Sequence, residues 1–360
     1  MSGADRNNVS RERVLDYRAA AHGLDRSATE PAVLELGAQD TPSGSARLAL
    51  AARGASADGL ELVWTFRGAP HLHRRTDLPA LATALWPLDD ADATARISTT
   101  VIKEGAKLGL EAFRATAGAL RAVVTGPMAK GEVSRAVSAM VPPALTFWCD
   151  PCGARHISGL LFQQAGLPGA IGVGRQGTTT LSPLEPGYPM PEAADGTGAL
   201  VRAYLRFLGP ATPADAAKFL GVKPAVVRAV WPGDLAEVTV EGKPAWLPAE
   251  RLDALLSAER PHFVRLLPPG DPFLQARDRR LLAPEKTHEK EIWRAISAPG
   301  VLLVGSEPAG TWRARAAGRR VDLTVTPFAR LTAATRKALE NEAATVAEAR
   351  GADEARLHVA

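Results

Sequence analysis

The sequence predicts a mainly helical α+β fold, because segments with helical start and stop signals alternate with short runs of alternating apolar residues. Between residues 10 and 73, helices are followed by a two-stranded hairpin, which is the order typical of a winged helix. This order returns twice further along the chain, as a repeat of structure and not of sequence. We therefore expect tandem winged-helix modules with β-hairpin wings, followed by a C-terminal region of β-hairpin and helix.

The first module, residues 1–90, begins with two helices. One runs from Ser10 to Gly23, where the glycine acts as a C-terminal stop. The other runs from Ser27 to Leu36, because Ser27 and Glu30 have the spacing of a capping box. The polar turn that follows Leu36 therefore lies between two helices of one module.

A short helix and a hairpin complete this module. The helix follows the polar turn and ends near Arg53, with Arg47 and Arg53 on its polar positions. The apolar alternation of residues 60–66 predicts a strand, which reverses into a second strand over residues 70–73. The hairpin is the predicted wing of the first module.

The rest of the chain is expected to divide into residues 91–198, 199–260 and 261–360. The third module has the clearest helix-turn-helix, because Thr212 and Asp215 form a capping box and Gly221 permits the turn. A wing follows over residues 236–247, with a glycine at its reversal. This stretch is the strongest local indication of a winged helix.

The second module and the C-terminal region have weaker signals. Helices are expected over residues 97–120 and 127–140, followed by a loop that holds both cysteines and by strands over residues 170–181. In the C-terminal region, a strand pair over residues 301–325 precedes a final helix from Thr332 to Arg350. The apolar spacing of that helix predicts a packing role.

Composition indicates a folded, cytoplasmic protein. Charged residues make up 23% of the chain, and the mean hydropathy is −0.06. No apolar run reaches the length of a membrane span, and the N-terminus lacks the apolar core of a signal peptide. The net charge of +4 and the pI of about 9.2 favour a polyanionic partner, although many ordinary enzymes are equally basic.

Three short motifs make the chain resemble the winged-helix DNA glycosylases of the AlkZ/YcaQ type. The stretch Trp64-Thr-Phe-Arg-Gly-Ala-Pro-His71 matches the hairpin signature Trp-Thr-x-Arg-Gly-x-x-His of that family, and residues 271–279 match its Asp-Pro-aromatic…Arg-Asp-Arg element. The family has Gln-x-Gln or Gln-x-Asp before the short helix, where this chain has Gly37-Ala38-Gln39. The second member of the catalytic motif is therefore kept, and the first is a glycine.

The resemblance implies hydrolysis of the N-glycosidic bond of alkylated purines, including those in interstrand crosslinks. Alkylation at a ring nitrogen makes the base a good leaving group, so the enzyme needs mainly to orient a water molecule and stabilise an oxocarbenium-like sugar. Gln39 is the candidate for orienting the water, and Asp40 is a candidate acceptor in place of the missing glutamine. The alternative is that both are ordinary turn residues.

The resemblance also implies double-stranded DNA as the partner of a monomeric protein. The basic residues expected to contact it are Arg47, Arg67, His71, Arg228, Arg277 and Arg279. Each of them has a plainer interpretation as a surface or packed residue, and Arg277 and Arg279 could form an ion-pair network with Asp278. Because Gly37 replaces a catalytic amide, a DNA-binding or regulatory protein without catalysis is the alternative function.

The stretch from Cys149 to His156 has the spacing of a zinc site, with Cys149, Cys152 and His156 as ligands. A structural zinc ion takes four ligands, and the chain has no second pair of cysteines. We therefore expect no metal and no other cofactor. The expected state is two reduced cysteines without a ligand, and a zinc ion at these three residues stays the alternative.

Overall fold

The computed structural model describes residues 8–28, 30–175 and 177–360. Its α-helices are α1 (Arg11–Ala21), α2 (Ser45–Ala51), α3 (Leu78–Leu85), α4 (Asp90–Ile97), α5 (Leu110–Val123), α6 (Lys130–Met140), α7 (Gly159–Gln164), α8 (Thr197–Leu208), α9 (Pro213–Leu220), α10 (Pro224–Ala229), α11 (Leu252–Leu256), α12 (Arg279–Leu282), α13 (Lys286–Ile292) and α14 (Ala333–Ala349). Its β-strands are β1 (Asn8–Val9), β2 (Ala38–Gln39), β3 (Leu60–Trp64), β4 (Pro70–Arg74), β5 (Met128–Ala129), β6 (Thr146–Cys149), β7 (Ala154–Ile157), β8 (Ile171–Gly174), β9 (Thr180–Pro183), β10 (Leu235–Val240), β11 (Lys243–Pro248), β12 (Val264–Leu267), β13 (Gly300–Val304), β14 (Glu307–Ala317), β15 (Arg320–Pro327) and β16 (Glu354–Val359). Helices and strands are thus mixed along the whole described chain, as the sequence predicted.

The chain forms two compact units that are not contiguous in sequence. Unit 1 contains the chain up to Asp58, Arg202–Asp215 and Gly233–Ala360, and unit 2 contains Gly59–Val201 and Ala216–Pro232. The helix α10 of the predicted third module therefore belongs to unit 2, whereas its hairpin belongs to unit 1. The division into residues 1–90, 91–198, 199–260 and 261–360 stays a prediction.

A five-stranded sheet in the order β12-β13-β14-β15-β16 forms the main core of unit 1. Its strands are antiparallel except for the parallel pair β15 and β16. Val321, Leu323 and Val325 alternate along β15, so their side chains share the face that the helix α14 covers. Leu48 of α2 packs into the same core, which fixes the position of the residues just before that helix.

A second sheet in unit 1 contains β1, β10 and β11 in the order β1-β10-β11. The strands β10 and β11 form the predicted wing hairpin, whose turn uses Glu241 and Gly242, both with positive φ. Val14 and Tyr17 of α1 pack against the apolar face of this hairpin. The helix α1 has Ser10 as its N-cap, since the Ser10 hydroxyl accepts a hydrogen bond from the Arg13 N–H.

Unit 2 is built around one apolar core that contains two tryptophans, Trp64 and Trp86. The hairpin β3–β4 forms as the sequence predicted, and its strands pair in the register Trp64 to Pro70. A three-stranded sheet contains β5, β9 and β8, and the strands β6 and β7 form a separate antiparallel pair. The helices α4 to α7 contribute buried side chains to this core.

Several predicted elements were wrong in their bounds or type. The helix expected from Ser27 to Leu36 is a short 3-10 helix at Ala32–Glu35, which begins after Pro31. Thr29, in the predicted capping box, lies outside the described residues. The helical region 97–120 is interrupted, and α5 begins only after Gly109, whose φ is 58°. The expected loop with the cysteines is the hairpin β6–β7.

No helix in the described part of the chain is both long enough and apolar enough to cross a lipid bilayer.

Candidate functional site

The predicted catalytic turn lies between the 3-10 helix Ala32–Glu35 and α2. Gly37 ends the 3-10 helix with φ of 69° and donates its N–H to the Leu34 carbonyl at 3.0 Å. Asp40 is buried, and its Oδ1 accepts hydrogen bonds from the N–H groups of Gly44 at 2.7 Å and Ala46 at 3.2 Å. The Asp40 carboxylate therefore holds the N-terminus of α2, and Gln39 stands half-buried immediately before it.

A second glutamine holds the Gln39 side chain. The Nε2 of Gln275 donates to the Oε1 of Gln39 at 3.2 Å and to the Gly270 carbonyl at 3.2 Å. In turn, the Nη2 of Arg277 donates to the Oε1 of Gln275 at 3.1 Å. The amide pair, Gln39 and Gln275, is thus linked through hydrogen bonds to a guanidinium group.

The backbone around Gly270 fits closely against this pair. Gly270 has φ of 74°, which only glycine adopts without strain. A Cβ atom at this position would lie 3.1 Å from the Thr41 carbonyl and 3.6 Å from the Nε2 of Gln39. The absence of a side chain at residue 270 therefore allows the two chain segments to meet.

A buried ion pair fixes the segment that contains Gln275. Arg53 binds Asp271 through two hydrogen bonds of 2.9 Å, and neither side chain is more than 1% exposed. Asp271 also accepts the Phe273 N–H at 2.9 Å, which caps the 3-10 helix Pro272–Gln275. The sequence predicted a polar position of the short helix for Arg53, whereas the structure buries it and neutralises its charge inside the protein.

The ion-pair network of Arg277, Asp278 and Arg279, which was the alternative to DNA contact, is not present among the described residues. Asp278 instead binds the fully buried Arg18 at 2.6 and 3.0 Å. The Nε of Arg277 is buried and has no hydrogen-bond partner among the described residues. Burial, together with the nearby Arg279, lowers the pKa of Arg277. Arg277 is thus a partly desolvated cation without a carboxylate partner in the described chain, a state that an anionic ligand would stabilise.

Arg277 and Arg279 line a groove of about 610 Å³ in unit 1, together with Arg280 and Lys243. We call these four residues and the space between them the basic groove. The guanidinium of Arg279 lies 5.0 Å from the centre of the Trp293 ring, and burial lowers the pKa of Arg279. The groove is also lined by Arg11 and by four acidic side chains, Asp215, Glu241, Asp278 and Glu289, so its charge is mixed, with five basic residues against four acidic ones.

The hairpin motif in unit 2 has mainly internal contacts. Arg67, with φ of 59°, donates to the Phe219 carbonyl, and its guanidinium lies 5.3 Å from the centre of the Phe219 ring. His71 is 2% exposed, and its Nδ1 lies 2.9 Å from both the Thr65 hydroxyl and the Ala69 carbonyl. Burial, with His73 beside it, lowers the pKa of His71 well below 6.5. These contacts argue against direct binding of DNA by His71 in this conformation.

The other predicted DNA-binding residues are solvent-exposed. Arg47 lies on the exposed face of α2 in unit 1, and Arg228 lies on the exposed face of α10 in unit 2. Sequence reasoning missed Gln275 and Gly270, although Gln275 lies inside the motif 271–279. The role of Gln275 is indicated by its contact with Gln39, which is 236 residues away in the chain, and no pattern in the sequence reveals that contact.

The alternative metal ligands Cys149, Cys152 and His156 come together in unit 2. One ligand atom from each of them lies within 4.8 Å of the other two.

Comparison with known families decides the assignment. The family model described as DNA glycosylase AlkZ-like matches residues 33–349. The chain belongs to the AlkZ-like DNA glycosylase family. The match spans both the turn with Gln39 and the segment with Gln275 and Arg277, so the AlkZ-like region contains every residue of the site in unit 1.

One curated relative and one solved structure are similar to this AlkZ-like chain. An interstrand DNA cross-link repair glycosylase of Streptomyces sahachiroi is 33% identical over 176 residues, which cover 45% of each chain. The match thus spans less than half the length of that relative. The solved structure of the Streptomyces sahachiroi DNA glycosylase AlkZ superimposes with a TM-score of 0.75 at 20% identity, and covers 98% of this chain and 100% of its own. This likeness shows a shared fold.

Proposed function

We propose that this chain is a monomeric, monofunctional DNA glycosylase that hydrolyses the N-glycosidic bond of alkylated purines in duplex DNA, including those in interstrand crosslinks. The observation that carries the proposal is the hydrogen-bonded series from Gln39 through Gln275 to Arg277, because it joins a candidate water-orienting amide to the basic groove. Membership of the AlkZ-like family supports the reaction class.

The amide of Gln39 is suited to orienting a nucleophilic water molecule. Its Oε1 accepts one hydrogen bond from Gln275, and a carbonyl oxygen has a second lone pair that can accept from water. An amide cannot remove the proton of that water, so the proton passes to solvent once the water has added to the sugar. This is sufficient for an alkylated purine, which already carries positive charge and leaves readily, so the water attacks a sugar that is close to an oxocarbenium ion. The Asp40 carboxylate beside it favours positive charge on the sugar.

We assign to Gln275 the orienting role of the amide that Gly37 lacks. It reaches Gln39 from another part of the chain, and Arg277 and the Gly270 carbonyl fix its own amide group. A chain with glycine at residue 37 therefore still has two amides at its catalytic turn.

The basic groove is proposed to bind the phosphates next to the lesion. Arg277 and Arg279 are partly desolvated cations, and phosphate oxygens are the natural partners of such guanidinium groups. Arg47 and Arg228, which are exposed, are proposed to contact the DNA backbone elsewhere. The helices α9 and α10, with Gly221 between them, support the interpretation of residues 213–229 as a helix-turn-helix, and the hairpin β10–β11 follows it in sequence where the wing is predicted.

The direct test uses a duplex with one N7-alkylguanine. The wild-type protein is expected to produce alkali-sensitive abasic sites. Gln39→Ala is expected to lower the rate of base release by about 100-fold or more, because removal of a polar group that acts in a transition state has an effect of this size. Gln163→Ala, which removes an amide in unit 2, serves as the matched control. Activity of Gln39→Ala equal to that of the wild type would contradict the catalytic role.

The second candidate function is a DNA-binding protein without catalysis, and Gly37 is the residue that favours it. Such a protein binds duplex DNA and leaves no abasic product. Footprinting separates the two functions, because a regulator protects a defined sequence and a repair enzyme does not.

A further inference from the structure

The hairpin β6–β7 brings the two cysteines of the chain together. The strands pair in the register Phe147 to His156 and Cys149 to Ala154. Residues directly opposite each other in an antiparallel pair point to the same face, so Cys149 and His156 share one face of the hairpin. Cys152 lies in the turn, and Gly153 with φ of 57° returns the chain to β7. The turn thus brings Cys152 back toward the other two residues.

The distances are close to those of a metal site. One ligand atom from each of Cys149, Cys152 and His156 lies within 4.8 Å of the others. Tetrahedral zinc with Zn–S bonds of about 2.3 Å needs its sulfur atoms to be about 3.8 Å apart. Because Cys152 is exposed and Cys149 is only half-buried, small side-chain rotations can close this difference.

The imidazole of His156 has an unmet bonding capacity. Its Nε2 is buried and has no hydrogen-bond partner in the part of the chain that the structure describes. A buried polar nitrogen without a partner destabilises a protein. A bond between this nitrogen and a metal ion removes that cost. If the other ring nitrogen binds the metal instead, the ring is anchored and the Nε2 can form a hydrogen bond.

The hairpin itself is weakly supported at its tip. It is a two-stranded sheet, and such sheets are marginally stable unless something else anchors them. At its base, Ile157 donates its N–H to the Ser138 hydroxyl at 2.7 Å, and Leu145 and Ile157 enter the core of unit 2. At its tip, Trp148 is 57% exposed. A metal that joins Cys149, Cys152 and His156 would connect the turn to both strands at the end that the core does not reach.

From these observations we propose that the β6–β7 hairpin binds one zinc ion through Cys149, Cys152 and His156, with water as the fourth ligand. Two thiolates and an imidazole favour zinc over magnesium and calcium, which take oxygen ligands. No fourth Cys, His, Asp or Glu of the described residues joins the cluster, so the remaining position is open to solvent. This proposal replaces the expectation of no metal, which counted protein ligands alone, because a water molecule supplies the fourth ligand here. The role of the ion is to fix the hairpin, independently of the chemistry proposed for unit 1.

The test measures metal in the full-length protein. After reduction and chelation, the wild-type chain is loaded with zinc chloride, passed over a desalting column and analysed by mass spectrometry for metals. We expect about one zinc ion per chain. Cobalt substitution is expected to give the strong near-ultraviolet absorption of thiolate-bound cobalt. Hydrogen exchange of residues 146–157 is expected to slow by about tenfold when zinc is added.

Variants locate the site. Cys152→Ser and His156→Gln are each expected to weaken zinc binding by at least about tenfold, whereas Asp150→Asn, a change in the same turn, is the matched control and leaves it unchanged. Because the main measurement uses the wild-type chain, an unfolded variant does not remove the test. Loaded wild type without stoichiometric zinc would overturn the proposal. The proposal would also be overturned by a Cys149–Cys152 disulfide in the freshly isolated protein, if the protein then failed to bind zinc after the disulfide was reduced.

Discussion

The side chains of Gln39 and Gln275 are joined by a hydrogen bond of 3.2 Å between the Nε2 of Gln275 and the Oε1 of Gln39. The two residues are 236 positions apart in sequence, and both belong to unit 1. The bond leaves one lone pair of the Gln39 carbonyl available, and it fixes the direction in which that lone pair points. The proposed chemistry depends on that direction.

Replacement of Gln275 tests this positioning role. Gln275→Leu is expected to lower the single-turnover rate on an N7-alkylguanine duplex by about tenfold, because Gln39 then rotates freely. The affinity for the same duplex is expected to change little, since Gln275 is not proposed to contact DNA. Gln275→Glu, which keeps the size and the acceptor but loses the donor, should resemble Gln275→Leu. A loss confined to affinity would rule out positioning.

Arg277 is expected to contribute to DNA binding without sequence preference. Arg277→Gln should weaken duplex binding and reduce the slope of log K against log salt concentration by about one, because one phosphate contact is lost. Titration of a fluorescent duplex at several salt concentrations measures this slope. Arg319→Gln is the control, since Arg319 is an exposed arginine already paired with Asp353. If the two variants have equal slopes, the basic groove does not bind phosphate.

The buried pair of Arg53 and Asp271 is expected to dominate the local stability of the site. Arg53→Met leaves a buried carboxylate without its partner, and should lower the free energy of unfolding by about 3–5 kcal/mol. Urea denaturation measures this quantity. The double variant with Asp271→Leu should recover part of the loss, because two apolar side chains can replace a buried ion pair. A double variant less stable than Arg53→Met would contradict this account.

The stability of the protein should fall in mild acid. Burial, and then the nearby Arg53, lower the pKa of His22 from 6.5 to about 3. Below pH 6.5 the unfolded chain takes up a proton at this residue and the folded chain does not. Above pH 6.5 His22 therefore does not change the free energy of unfolding. As the pH falls from 6.5 toward 3, proton uptake by the unfolded chain lowers the free energy of unfolding by up to about 1.4 kcal/mol per pH unit.

Unfolding by urea between pH 7 and pH 4 measures this dependence. His22→Asn, which keeps a hydrogen-bond donor for the Arg18 carbonyl, should reduce the slope of stability against pH. The exposed His262 provides the control, and His262→Asn should leave the slope unchanged. Equal slopes for wild type and His22→Asn would show that His22 is not the cause.

The sequence was informative where the signals are local. Ser10 caps α1 and Thr332 caps α14, each through its hydroxyl, and both helices have nearly the predicted bounds. The hairpin β3–β4 was also predicted, because strand alternation and a tight reversal lie within a few residues of each other. Pairs such as Arg53 with Asp271 were not predictable. The residues next to an arginine in sequence do not indicate that it will be buried against a carboxylate from a distant part of the chain.

The same limit applies to the candidate site. Gln39 and Arg277 were each predicted as site residues from a motif, but Gln275, which connects them through hydrogen bonds, was not. For His71 the sequence left a DNA contact, a packed and a solvated side chain all open, because a histidine in a strand has the same sequence signature whether it faces solvent or two hydrogen-bonding neighbours. Three-dimensional contacts decide these roles.

Unit 1 is assembled from three separate segments of the chain, and this has a consequence during synthesis. The ribosome makes the turn with Gln39 early, whereas Gly270, Gln275 and Arg277 emerge only after all of unit 2 has been translated. A nascent or truncated chain that stops before residue 270 therefore has the water-orienting amide without the groups that hold it. Translation must pass this point before the site can exist, so premature termination yields a product that lacks it.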